Sequence, residues 1–588
     1  MSTVRTDVRE GRLRRKLGDA PRSVSRSRAT AADCIGLAVI VGLFGIVASL
    51  FAGVQTLWLD ETTQMAGIGL GPIGVTQWLA GARHVFEWAV APDRMPPLSY
   101  YYHQAWGVVV GKGEISLRWS GIVCGVATIA LTHAIGRRVY RTSVAIVGAS
   151  VMGLAPGVTE RAVEIRAYPL YLLLATAALY AAVRHVQSEK RVRWLILATV
   201  LASTALWTHF QGLVYAVALI FALAVHHRIE RRSLVAPLAA LGAIGAAFVA
   251  LTPFISNSLD VSRRGPHFTV SDNLISFGDL CYNLVSHRIN LDVPLLLVVA
   301  SAGALLAIAA SVCAHFAAAG RVHPVTRLLL CLAGTYLLTV LAASLMVRSF
   351  RPAIFQYNLP LVPSLAILFG LTVAADQLMW RRLALSGVAM LIACQCVGSA
   401  RLVLEGQRVA HGLDGRIVQR IERLGVDSVI VIHEAGSNGE DSQVYYPLAY
   451  FVGGRLRQYV HDQTRDCFCL REDKKPTPPA SIEVPHLIVV RVGLHNPFHN
   501  RPNAPMESGL AVQTLSTSSN WRLVESFTYE AYFKMTTWVF DRVKVPTARV
   551  AAQPQRNRMS SPMVFVASPY ETSAETQVPL HRALSRLP

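Results

Sequence analysis

Charged residues are scarce in this chain. Asp, Glu, Lys and Arg make up 16% of its 588 residues, against about 25% in soluble domains. The shortage is concentrated before Ala400, which excludes an ordinary soluble fold for that part. A convincing strand–glycine-loop–helix signature for a soluble nucleotide is missing from the part after Arg401. No repeat of fixed period occurs, which excludes a solenoid or propeller. Cysteines are few and scattered: Cys34, Cys124, Cys313, Cys331, Cys394 and Cys396 fall in apolar runs as small core residues. Cys281, Cys467 and Cys469 do not supply enough ligands for a zinc site; a disulfide among them in an oxidising compartment stays open.

Acidic residues are also in deficit, 36 against 56 Lys and Arg, for a formal net charge of +20. That balance raises nucleic acid as a partner. However, the clusters Arg12-Leu13-Arg14-Arg15-Lys16, Gly136-Arg137-Arg138 and His227-Arg228-Ile229-Glu230-Arg231-Arg232 flank apolar runs. The positive-inside rule accounts for this placement. The charge therefore reads as topology, and no nucleic-acid partner is expected.

What the chain has in abundance is apolar sequence: 52% hydrophobic residues and a mean hydropathy of +0.39. Repeated apolar runs of roughly 16 to 25 residues are the pattern of a polytopic helical membrane protein. With the basic N-terminus inside, Cys34–Leu57 crosses outward. The segment Pro97–Val110, rich in Tyr and Trp, has only about 14 residues, short of the roughly 20 a span needs, and suits the interface. Successive crossings then follow at Arg118–Ile135, Ser143–Val158, Tyr168–Val183, Trp194–Trp207, Gly212–Val225 and Val235–Ile255. After a polar loop, Asn257 to Asp292, come Val293–Ala317, Leu328–Met346, Tyr357–Ala375 and Leu383–Val397. The expected architecture is a polytopic α-helical membrane protein of about eleven spans, with a small C-terminal extracytoplasmic α/β domain. Residues 1–32 form a basic cytoplasmic tail, 33–400 the membrane body and 401–544 the outer domain; the Pro-, Ser- and Gln-rich stretch 545–588 reads as disordered. Within the outer domain, Gly412–Leu424 and Tyr446–Gly453 read as helices. Asp427–His433, Pro485–Val492, Trp521–Phe527 and Met535–Phe540 read as strands.

This topology sends five polar clusters to one face: Asp60-Glu61, Glu164-Ile165-Arg166-Ala167-Tyr168, Thr208-His209-Phe210-Gln211, the loop bearing Arg263-Arg264, and Arg348 with Arg351. Ionisable groups are costly near a bilayer, on the order of 3 kcal/mol for a carboxylate at its centre. Their gathering at one mouth points to a site. Each has a plainer reading: Asp60-Glu61 as the first turn of an interfacial helix, and Glu164 with Arg166 as an ion pair worth about 0 to 1 kcal/mol at a surface.

Leu59-Asp60-Glu61, Met95-Pro96-Pro97-Leu98, Gly113-Glu114-Ile115-Ser116-Leu117-Arg118, Gly136-Arg137-Arg138, Glu164-Ile165-Arg166-Ala167-Tyr168 and Thr208-His209-Phe210-Gln211-Gly212 occur in this order and spacing. Together they resemble the GT-C fold glycosyltransferases, the bacterial relatives of protein O-mannosyltransferases and aminoarabinose (lipid A) transferases. The chain departs from the pattern at Met95, where relatives often carry His, at Val163, where they often carry Gln, and at Gln356-Tyr357, where Arg-Tyr is common. The resemblance implies a membrane glycosyltransferase moving a sugar from a polyprenyl phosphate to a hydroxyl of an envelope glycolipid, polysaccharide or protein. It works at the outer face of the bacterial cytoplasmic membrane, with membrane lipid, donor and acceptor as its partners.

Under that resemblance Asp60 is the base that takes the hydroxyl proton. Glu61 either orients Asp60 or joins it in holding a divalent cation, Mg or Mn. Arg166, Tyr168 and Arg118 bind the donor phosphate, and Glu164, His209, Arg348 and Arg351 are further candidates. Two rivals are a flippase for lipid-linked sugars, which calls for mid-bilayer charges or paired broken helices, and a non-catalytic assembly factor.

Overall fold

The computed structural model describes residues 31–55, 57, 59–69, 78–139, 142–264, 268–286, 302–303, 305, 309, 323–347, 352–404, 415–434, 447–448, 451–452 and 456–543, with gaps inside several of the longer stretches. Two bodies follow one another in the chain, a helical membrane body and a sheet domain.

The helical body opens with α1 (Ala31–Val54). Its exposed residues Ile35, Val39, Leu43, Ile46 and Leu50 form one stripe at helical spacing, while Ile40, Phe44, Ala48 and Phe51 are buried. An apolar stripe facing outward inverts the pattern of a soluble helix and places α1 at the lipid-facing rim. Short interfacial helices follow: α2 (Leu59–Gly67), α3 (Trp78–Val90) and α4 (Leu98–Val109). Helix α5 (Glu114–Val139) returns, and α6 (Thr142–Gly153) leads into α7 (Pro156–Ala162). A proline at the first position of α7 and a 61° bend mark the break between them. Next come α8 (Tyr168–Gln187), α9 (Arg191–Leu206), α10 (Gly212–Ile229), α11 (Val235–Val249), α12 (Thr252–Arg264) and α13 (Val270–Ser286). The later helices are α14 (Pro324–Met346), a 3-10 turn at Phe355–Leu361, α15 (Val362–Thr372) and α16 (Leu378–Leu404).

Among the described residues, six helices are long and apolar enough to cross a membrane, and up to eight spans result if each bent pair counts as one. The protein is a multi-pass membrane protein, and the expected eleven is not reached by this measure. Ten of the expected runs do coincide with helix, and the eleventh, Val293–Ala317, lies almost wholly outside the described residues. The shortfall comes from the bent pairs, from α9 with 16 residues, and from Phe355–Leu371, which begins as a tighter 3-10 turn. The stretch Asn257 to Asp292, expected as a polar loop, is instead largely helical where it is described, in α12 and α13, whose polar residues are interspersed with apolar ones at helical spacing.

The sheet domain has α17 (Gly415–Leu424) and seven strands in the order β4-β3-β2-β1-β5-β7-β6. These are β1 (Val429–Glu434), β2 (Arg457–Asp462), β3 (Cys467–Leu470), β4 (Pro476–Thr477), β5 (His486–Leu494), β6 (Trp521–Glu530) and β7 (Phe533–Arg542). The central strand β1 is parallel to both neighbours, pairing Ile430 with Arg457 and Val429 with His486. All six of its residues are buried, as befits a parallel strand covered on both faces. Helix α17 covers one face through Ile417 and Ile421, and α18 (Leu510–Thr517) covers the other through Ala511, Val512 and Leu515. The strands β2, β3 and β4 had no legible signal of their own; the tail beyond 543 lies outside the described residues.

Candidate active site

The adjacent acids at the start of α2 point in different directions. Glu61 is fully buried, and Arg118 of α5 grips it in a two-pronged ion pair, Nη1 to Oε1 at 2.8 Å and Nη2 to Oε2 at 3.1 Å. The Ile165 amide donates to the same Oε1 at 3.0 Å. Arg118 also donates to the Val163 carbonyl at 2.8 Å and to Glu114 at 2.9 Å. Burial pushes the Glu61 carboxyl upward, opposed by the Arg118 guanidinium and the Ile165 amide. Glu61 and Arg118 thus tie α2, α5 and the 163–167 loop together. The loop can come this close because α5 carries Gly121, where a Cβ would overlap the Ala162 carbonyl oxygen.

Asp60, the neighbour of this strut, is about a third exposed, at 35% of its side chain. It faces Arg166, which is 7% exposed. Arg166 donates from Nη1 to the Asp60 carbonyl at 3.0 Å, and its Nη2 lies 3.5 Å from Asp60 Oδ2. On its other side stands Asp93, 3.4 Å from Nη1. Burial works against the Arg166 charge, but Asp60 and Asp93 outweigh it and raise its pKa. The result is a permanent cation between two carboxylates, one of them open to solvent.

Around this centre sits an aromatic wall. The His209 ring lies 5.7 Å from Tyr168, 5.0 Å from Tyr357 and stacks at 5.3 Å on Tyr171. Its Nδ1 accepts from the Gln211 amide at 3.2 Å, so the ring carries its proton on Nε2. Burial, with Arg166 nearby, lowers His209 to about 3; the ring is neutral at pH 7. His103 is likewise lowered to about 4, chiefly by burial, and its Nδ1 meets Gln64 Nε2 at 3.2 Å. Glu164 turns away from Asp60 into a buried cluster with Arg161, which also binds Glu160 at 2.9 Å. Burial, partly opposed by Arg161, pushes Glu164 up to about 7.

Asp60, Arg166, Tyr168 and His209 therefore come together. Arg118, expected as a phosphate ligand, is instead wholly occupied inside the protein, and Glu164 lies in a separate charged cluster. Arg348 and Arg351 lie outside the described residues. Asp60 and Glu61 do not fit a shared cation, because Glu61 is committed to Arg118 and Ile165. Among the described residues no group of three or more His, Cys, Asp or Glu gathers as a metal site. Sequence reasoning missed Asp93, an isolated acid with no pattern around it. It also missed Asn358, whose Oδ1 accepts from Gln211 at 3.3 Å and whose amide donates to Ile354 at 2.7 Å, joining the late turn to the 208–211 segment.

Residues 94–256 match the family model described as dolichyl-phosphate-mannose-protein mannosyltransferase. No curated protein sequence matches the chain. Among solved structures it is similar to ArnT from Cupriavidus metallidurans bound to undecaprenyl phosphate, with a TM-score of 0.51 and 13% identity over 87% of this chain and 98% of that one. Apo ArnT from the same organism gives a TM-score of 0.52 and 12% identity over 86% and 98%. At such identity the likeness is one of fold: the chain has the GT-C fold, a helical membrane body followed by a small sheet domain.

Proposed function

We propose that this GT-C-fold chain is a membrane glycosyltransferase that moves a sugar from a polyprenyl phosphate to a hydroxyl of an envelope glycolipid, polysaccharide or protein. The observation that carries this reading is the solvent-open Asp60 carboxylate beside the nearly buried Arg166. The family segment and the fold favour transfer over the flippase and assembly-factor alternatives.

In the reaction, the acceptor oxygen bonds to the anomeric carbon as the bond from that carbon to the phosphate oxygen breaks. Asp60 takes the hydroxyl proton. Polyprenyl phosphate leaves carrying the new negative charge, and Arg166 stabilises it, since a fixed cation counts most where water is excluded. Asp60 and Asp93 keep that guanidinium oriented before the donor arrives, which spares reorganisation during reaction. Tyr168 offers a hydroxyl to the phosphate. The neutral His209, backed by the fully buried Tyr171, supplies with Tyr357 an uncharged wall for the sugar. Glu61 and Arg118 act as positioning residues. The site opens at the outer face of the bacterial cytoplasmic membrane.

The test is transfer from purified membranes supplied with a panel of radiolabelled polyprenyl-phosphate sugars. One donor is expected to be used by wild type and not by Asp60→Asn or Arg166→Ala at equal protein level. A loss of 10²-fold or more, roughly, suits removal of a base or a charge stabiliser. Transfer unaffected by either substitution would overturn the assignment.

A further inference from the structure

Arg118, at the site, and Arg138 are both on α5, twenty residues apart. At about 1.5 Å per residue this is roughly 30 Å, the thickness of a bilayer's hydrocarbon core. Arg138 therefore marks the opposite membrane surface. There the end of α8 and the start of α9 bring Arg184, Arg193 and two aromatic rings beside it. Arg138 Nε and Arg184 Nη1 both donate to the Tyr180 hydroxyl oxygen, each at 3.3 Å. Arg184 stacks 4.4 Å over the Trp194 ring, Arg193 lies 5.3 Å from the same ring, and Arg138 lies 5.5 Å from the Tyr180 ring. Tyr180 and Trp194 meet edge to face at 6.3 Å.

Three guanidiniums thus crowd two touching rings, and among the described residues no carboxylate pairs with any of them. Like charges at this spacing repel, and a phenol oxygen neutralises neither of its two donors. Most of the five N–H donors on each guanidinium are left for another acceptor. The contrast is with Arg137 one residue away, which faces Asp33 at 4.0 Å, and Arg327, which binds Glu230 at 3.1 Å. Beside the cluster, Val192, Ile196 and Val200 form an exposed apolar stripe on α9, running from the surface toward the membrane centre. Cations stacked on interfacial aromatics above an apolar stripe complement an anionic headgroup with acyl chains below it.

We propose that Arg138, Arg184 and Arg193 bind the phosphate of an anionic phospholipid in the leaflet opposite the Asp60 site. The headgroup oxygens take the unused guanidinium donors, and the acyl chains lie along the α9 stripe.

The experiment uses the full chain, purified in detergent and stripped of lipid, with its thermal midpoint followed as short-chain phosphatidylglycerol is added. Phosphatidylcholine and inorganic phosphate are the comparison additions. Phosphatidylglycerol is expected to raise the midpoint saturably and the other two are not. Arg138→Gln/Arg184→Gln should weaken the response about tenfold or more, at roughly 1 kcal/mol per basic residue near a charged surface. Arg381→Gln/Arg382→Gln removes the same charge from exposed positions at the start of α16 and should leave the response intact. Should the first double variant not fold, Arg138→Gln alone, at an exposed position, carries the test, with native mass spectrometry counting lipids retained by wild type. Equal loss in both double variants would reduce the site to diffuse surface charge. An equal response to inorganic phosphate would make it a free-anion site, and an equal response to phosphatidylcholine would abolish it.

Discussion

Arg166 is held by Asp60 and Asp93, while Arg118 is consumed by Glu61 and Glu114; two arginines that look alike in sequence do different work. Exposure separates them. The acid facing Arg166 is open to an acceptor, whereas the pair Glu61–Arg118 is closed to everything, and removing one partner of such a pair typically costs about 3–5 kcal/mol. Glu164 represents a third case. Its carboxyl is raised to about 7 by burial, above its ordinary value near 4.5. A raised acid favours the folded state at low pH, so its contribution is complete below about 4.5 and is lost as pH climbs through about 7. On the order of 3 kcal/mol is involved. Thermal midpoints of wild type and Glu164→Gln, measured in detergent from pH 5 to 8, should diverge in the variant's favour as pH rises. A constant gap would show that Arg161 holds Glu164 ionised throughout.

At the scale of elements, the site depends on how closely α5 approaches the end of α7. A Cβ at Gly121 would strike the Ala162 backbone, which cannot swing aside as a side chain does. Gly121→Val is therefore expected to displace the 163–167 loop, lowering the midpoint by several degrees, as overpacking costing about 1–3 kcal/mol would, and reducing transfer. Gly242→Ala on α11, where nothing lies within 4 Å of the added carbon, should change neither. Equal effects from the two would mean the approach is not what seats the loop. The helices themselves were legible because apolar runs of bilayer length have few alternatives. The break at Pro156 was not read, although proline is its cause. Pairings such as Arg166 with Asp93, 73 residues apart, leave no periodic trace. They depend on how α4 packs back against α5 and on Asp93 standing beside Arg166, which local pattern does not encode. The strand pairing of the sheet domain was hidden for a related reason: β3 and β4 are four and two residues long, too short for alternation to show.

For the whole molecule, two connections fix which end carries what. Asp33 at the start of α1 accepts from Thr142 at 3.0 Å and faces Arg137, so α1 begins at the arginine-rich end and delivers Asp60 to the other. Near the far end of α16, Ser399 donates to the Leu154 carbonyl at 3.1 Å, just ahead of α7 and the loop that bears Arg166. Helix α16 therefore finishes at the site end, and the sheet domain that follows it in the chain is expected on the same side as Asp60. The basic clusters at Arg137-Arg138, Arg191-Arg193 and Arg381-Arg382 occupy the other end, the one the positive-inside rule assigns to the cytoplasm. Single cysteines placed in a background lacking the native ones test this directly. Ser188→Cys, in the turn between α8 and α9, should react with a membrane-impermeant maleimide only after cells are opened. Ser518→Cys, after α18 in the sheet domain, should react in intact cells. The reverse pattern would turn the protein over and put the Asp60 site in the cytoplasm. Asp60 would then face donors on the inner leaflet, and the lipid proposed at Arg138 and Arg184 would belong to the outer one.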